Sequence, residues 1–205
     1  MALPTLIPKL RAALIRPEER AATEARFALS ELSGRLVELR GSALTCAVGL
    51  VLEAQQRGEP CAYVCGPEVS FYPVDVAESG VDLAALAVIR VKAATGRGRV
   101  ADELARSGAF ALIVVDLLDA DGSLPPALLT RLHGLAQRHL IAMVFLTKDH
   151  QMASALGSLV SLRAVVHRKR AIGPTVELSL EVSKDKRRAP GWTHTALCRA
   201  PLGLR

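Results

Sequence analysis

Arg35-Leu36-Val37-Glu38-Leu39-Arg40-Gly41-Ser42-Ala43-Leu44-Thr45-Cys46-Ala47 decides the fold. Arg35–Leu39 reads as a short strand, Arg40-Gly41-Ser42 as a tight turn, and Ala43–Arg57 as a helix closed by Gly58. Working toward the C-terminus, the same alternation repeats. Cys61–Cys65 is a second strand, residues 70–79 a loop and short helix closed by Gly80, and Ala87–Val91 a third strand. Arg97–Arg106 is a helix stopped by Ser107-Gly108, and Ala111–Val115 is an apolar strand ending in Asp116. Leu124–Arg138 is a helix with Pro125 and Pro126 in its first turn, and Ile141–Thr147 a fifth strand. Strands that are apolar throughout and alternate with helices predict an α/β fold, with a mostly parallel sheet covered on both faces. Right-handed crossovers restrict it to a doubly wound arrangement.

Both ends differ from this middle. Leu6, Ile7, Leu10 and Leu14 are apolar at helical spacing between Pro4 and Pro17, which predicts a short amphipathic helix. A second helix is expected from Glu18 to Leu32, ending at Ser33-Gly34. Leu159–Arg170 and Thr175–Val182 alternate apolar with polar around Gly173-Pro174, which predicts a C-terminal antiparallel hairpin at the sheet edge. The expected organisation is an N-terminal helical segment (1–33), a core (34–182), and a basic tail (183–205) whose order the sequence leaves open.

Half of the 205 residues are hydrophobic and only 3% are aromatic, so the core must be aliphatic. The longest apolar runs are too short to span a bilayer, and Met1–Arg16 does not read as a secretory signal. A cytoplasmic protein is expected, with Cys46, Cys61, Cys65 and Cys198 as reduced thiols. The cysteines match no common zinc spacing, and the five histidines form no triad or metal pattern, so no metal is expected. The net charge of +6 is concentrated late: residues 163–205 hold ten Lys/Arg against three acids. That bias suits an acidic partner, either nucleic acid or a protein surface, or a solvated face that maintains solubility.

A strand, turn and helix opening an α/β unit is where nucleotide-binding proteins place a Gly-rich loop. Its amides and a Lys cradle the phosphates. Here Gly41, Ser42 and Thr45 remain, but the second Gly and the Lys preceding the Ser/Thr are missing, and the turn is about one residue short. Positioning and charge compensation are nearly all that a protein contributes to phosphoryl transfer. The expectation is therefore a vestigial site: no cofactor, no catalytic residue and no ATPase activity. Leu112–Asp116 keeps the form of a strand ending in a magnesium-facing carboxylate, but Asp116 is expected to cap a helix or loop instead.

Several segments resemble RecA-type recombinases. They are Gly34–Gly41, Glu53–Gly58 with Cys61–Val64, Ser79–Asp82, Asp102–Ala109 with Ile113–Asp116, Leu162-Arg163, and Val182–Lys186 with Ala189-Pro190. They run in one consistent order over about residues 34–190. The resemblance implies a RecA-like P-loop fold. The family's catalytic Glu is not matched by Glu68 in register, and its glutamine sensor falls near Thr147. The two DNA-binding loops shrink to about 117–123 and 148–158. A RecA core of this kind resembles the ImuA family of bacterial damage-induced (SOS) mutagenesis, which implies RecA and an ImuB-type, error-prone polymerase complex as partners. It also implies a partner-facing place for Leu6, Ile7, Leu10 and Leu14, because an N-terminal helix of RecA packs on the neighbouring core. Packing of that helix on its own domain is the alternative.

Two other readings come from the same residues. Arg168, Lys169, Arg170, Lys184, Lys186, Arg187 and Arg188 would form a basic strip giving salt-sensitive DNA binding, with Trp192 and His194 able to stack on bases. The SulA division inhibitors are also degenerate RecA relatives. Self-association is compatible with all of these readings, and none requires a membrane.

Overall fold

The computed structural model describes residues 27–67, 71–120, 124–148, 156–170 and 175–199. Among these residues eight strands form one sheet: β1 (Arg35–Gly41), β2 (Cys61–Cys65), β3 (Leu86–Arg90), β4 (Leu112–Asp116), β5 (Ala142–Leu146), β6 (Leu162–Arg170), β7 (Thr175–Asp185) and β8 (Thr193–Arg199). Their spatial order is β3-β2-β4-β5-β1-β6-β7-β8. The pairings from β3 through β6 are all parallel, and β6-β7-β8 is antiparallel. β1 lies between β5 and β6, with Val37 opposite both Val144 and Leu162. Every residue of β2, β4 and β5 is buried. Strands buried on both faces need no polar alternation, which is why their sequences are continuously apolar.

The described helices are α1 (Leu29–Leu32), α2 (Ala43–Gln56), α3 (Pro73–Glu78), α4 (Ala94–Ser107) and α5 (Pro126–His139). α1, α2 and α3 cover one face, where Ala47, Leu50, Val51 and Val76 meet Val37, Leu39, Val114 and Val144. α4 and α5 cover the other, where Ala101, Ala105, Leu128 and Leu132 meet Leu36, Ile113, Val115 and Met143. The first face continues over the hairpin through Val166, Leu178, Leu180 and Val182. α4 stops where Gly108 turns left-handed, at φ 66°.

Two expectations about the ends are corrected. The helix expected over 18–32 is interrupted in its described part, where Ala28 is extended (φ −131°, ψ 156°) and Leu29–Leu32 is helical; residues 18–26 lie outside the described residues. The helix expected around Leu6–Leu14 lies outside the described residues. At the other end, β7 runs through Asp185, and residues 193–199 form β8 instead of a tail. The reason is a buried anchor. Arg35, 4% exposed, donates to Asp185 and to the Ser161 hydroxyl and carbonyl. Asp185 also accepts from the Arg187 backbone N–H and from Trp192 Nε1 at 3.1 Å. Burial pushes the Asp185 carboxyl up, but the Arg187 amide, Arg35 and Trp192 outweigh this and hold it below the ordinary range. These bonds fix the end of β7 and the chain leading into β8.

Candidate functional site

In open α/β sheets, ligands bind off the carboxyl ends of the parallel strands. Here those ends are filled by side chains of the chain itself. β1 ends at Gly41 and α2 begins at Ala43, so Ser42 alone separates them. The Ser42 amide, which in a phosphate cradle would face an anion, donates to the Val166 carbonyl at 2.8 Å. Gly41 sits at φ 70°, and a Cβ there would lie 2.5 Å from the same carbonyl. β6 thus closes directly on the turn. Thr45 points elsewhere and lines a groove on the outer side of α2.

Beside the turn lies a buried ionic cluster. Glu38, fully buried, accepts from Arg163 Nε at 2.7 Å, Arg40 Nη2 at 3.1 Å and Thr147 Oγ1 at 3.2 Å. Burial alone would raise the Glu38 carboxyl, but Arg163 and Arg40 outweigh it and hold it below the ordinary carboxylate range. Thr147 is 1% exposed and serves this cluster.

A second cluster closes the ends of β2, β3 and β4. Arg97, 1% exposed, donates to the carbonyls of Val91, Lys92 and Asp116 and grips both carboxylate oxygens of Asp119. The Arg97 hydrogen bond holds the Asp119 carboxyl low. A Cβ on Gly66 would meet Asp119 Oδ2 at 2.2 Å and Arg97 Nη2 at 2.6 Å, so a larger residue there would have to displace the ends of this ion pair. Asp116 accepts from the Tyr63 hydroxyl at 2.8 Å and from the Leu118 amide at 2.9 Å. The latter bond is the loop cap expected of it.

The four residues expected to form a vestigial site do not converge. Gly41 and Ser42 form the closed turn, Thr45 faces the outer groove, and Asp116 is tied up inside the sheet. Glu68 and His150 lie outside the described residues. All four cysteines are unpaired, and burial pushes the Cys46 thiol up to about 12, so Cys46 is apolar filling. No helix among the described residues is long and apolar enough to cross a membrane.

The seven basic residues divide into two groups. Arg168, Lys169 and Arg170 stand at one end of the β6–β7 pair, and Lys184, Lys186, Arg187 and Arg188 at the other. Six strand positions separate Arg163, opposite Lys184, from Lys169, opposite Glu177, or roughly 20 Å. Much of the second group is engaged within the chain. Lys184 and Lys186 donate to the carbonyls of Ser158 and Leu159, Arg187 to those of Glu31 and Ser33, and Arg188 to the Glu31 carboxylate. Burial, then Lys186 and Arg163, lower the Lys184 amine. Trp192 is partly buried against the core, and His194 lies on β8 opposite Leu180.

Sequence reasoning missed Glu38, Arg40, Arg163, Arg97 and Asp119. One signal was present: a glutamate between Val37 and Leu39, in a strand covered on both faces, must be paired to stay there. Nothing local marks Arg97, whose partners lie on the β3–α4 connection and the loop after β4.

No protein-family profile matches the chain. Over about half its length it is similar to RecA proteins. It is 36% identical to that of Rhodospirillum rubrum over 91 residues, covering 42% of this chain and 25% of that protein. It is 32% identical to that of Bartonella bacilliformis over 126 residues, covering 55% and 36%. It is 31% identical to that of Agrobacterium fabrum over 129 residues, covering 56% and 35%. The fold is accordingly a RecA-like α/β core, with a mostly parallel sheet and a C-terminal antiparallel hairpin. The chain spans about a quarter to a third of the length of the RecA proteins it matches.

Proposed function

We propose that this chain is a non-catalytic, RecA-like adaptor of the ImuA kind, acting in damage-induced translesion synthesis by binding RecA or an ImuB-type polymerase complex. The observation that carries the reading is the β1–α2 turn: Ser42 alone separates strand from helix, and its amide is spent on Val166. A polyphosphate needs a nest of free amides and a lysine at that point. A scaffold retained without its phosphate cradle acts through its surfaces.

Direct DNA binding is the weaker reading. Its seven basic residues stand at two ends of a hairpin, and four of them already bond within the chain. A SulA-like role has no observation of its own. The adaptor reading is tested by purifying the tagged protein from bacteria after DNA damage and identifying what co-elutes. RecA or a Y-family-like polymerase component is the expected result. Recovery of nucleic acid alone, lost at raised salt, would favour the DNA reading.

A further inference from the structure

α2 packs over β2, β4, β5 and β6, in the middle of the sheet. α3, which follows β2, lies on one side of it, and the end of the β6–β7–β8 hairpin lies on the other. Between them runs a groove of about 520 Å³. Leu44, Val48 and Leu52, four residues apart on α2, form its floor. Tyr72 and α3 make one wall, and Arg168, Leu197 and Cys198 make the other. Tyr72 and Leu197, on opposite walls, are 56% and 70% exposed, and Val74 beside Tyr72 is 70% exposed. Apolar side chains left open to water around one groove mark an interaction surface.

The charges in the groove decide what fits it. The α3 wall carries Asp75 and Glu78, and the hairpin wall carries Arg168. Arg168 reaches the groove because it alternates with Val166 on the helix-covered face of β6. Asp75 and Arg168 are half-buried, and neither has an ion-pair partner among the described residues. A ligand of a single charge sign would suit one wall and be repelled by the other. A partner must therefore present acid on one side and base on the other, with an apolar strip between. A second copy of this chain has that pattern. A two-fold axis running along the groove sets each wall of one copy against the opposite wall of the other. Asp75 of each copy then meets Arg168 of the other, which makes two equivalent ion pairs, and each Tyr72 faces the other copy's Leu197 above the apolar floors.

We infer that two copies of this chain pair through the groove in this way. The inference is independent of the adaptor reading, because it concerns the outer side of α2 and not the turn before it.

Sedimentation equilibrium of the full chain tests the pairing, alongside Arg168→Glu, Asp75→Arg and the double reversal, with melting curves confirming that each is folded. The unaltered chain should dimerise. Each single reversal should weaken association by at least about tenfold, and the double reversal should restore it, because the ion pair is rebuilt with its signs exchanged. Cys198 reports where the contact lies: it lines the groove and is partly exposed, whereas Cys46, Cys61 and Cys65 are buried. Maleimide labelling of Cys198 should slow as protein concentration rises, and Arg168→Glu should abolish that dependence. A monomer at every concentration would overturn the inference. So would a dimer whose Cys198 labels at a rate independent of concentration, or a double reversal that associates no more tightly than the single ones.

Discussion

The two sides of the β1–α2 unit have been treated in opposite ways. On the inner side, at the carboxyl ends of the strands, the Val166 carbonyl, the Glu38 cluster and the Arg97 cluster fill the space. On the outer flank of α2, Leu44, Val48, Tyr72 and Leu197 leave an apolar groove. In an enzyme of this architecture the first region would be open and polar. The contrast is that the strand ends are tied together by buried polar groups, while the open apolar surface lies on the outside.

Replacing Glu38 with alanine breaks that contrast most severely. It strands Arg40 and Arg163 beside a buried gap, and losing one partner of a buried ion pair costs about 3–5 kcal/mol. Urea unfolding should show that loss. A change below about 1 kcal/mol would mean the cluster does not hold the strand ends. Gly41→Ala is next. Its methyl group would strike the Val166 carbonyl at a left-handed position, so a loss of about 1–3 kcal/mol is expected. A neutral result would mean the turn is looser than described.

Acid should act in the same region. The folded-state carboxyls of Glu38 and Asp185 are both depressed. Their contribution is complete above the ordinary carboxylate range and is lost as pH falls through the lower folded values. Melting temperature should therefore drop as pH falls below about 4.5, the ordinary value for glutamate. Glu38→Gln should flatten part of that decline. The smallest effect belongs to the groove: Leu197→Ser, at a side chain 70% exposed, should change unfolding free energy by no more than about 0.5 kcal/mol.

Much of the fold was legible because buried parallel strands carry a strong apolar signal and helices end at glycines such as Gly58, Gly80 and Gly108. The short β1–α2 turn was legible too, since Gly41-Ser42 follows the strand and leads directly into the helix, but the bond from Ser42 to Val166 was not. The buried clusters were not. Glu38, Arg163 and Thr147 are brought together across β1, β6 and the end of β5, and Arg97 reaches Asp119 from another element, so no spacing rule links them. The end of the chain was misread because β8 has little apolar alternation, and its lead-in is held by Trp192 and Arg187 on Asp185. The basic residues looked like one strip because they cluster in sequence, while antiparallel pairing puts Arg168 and Lys184 at opposite ends of the hairpin.

The proposed adaptor role requires that the turn between Gly41 and Ala43 hold no polyphosphate. Equilibrium binding of a fluorescent ATP analogue, with and without Mg²⁺, tests it directly. The account predicts no saturable signal at millimolar nucleotide. Tight, Mg²⁺-dependent binding that is lost on substituting Asp116 would contradict it.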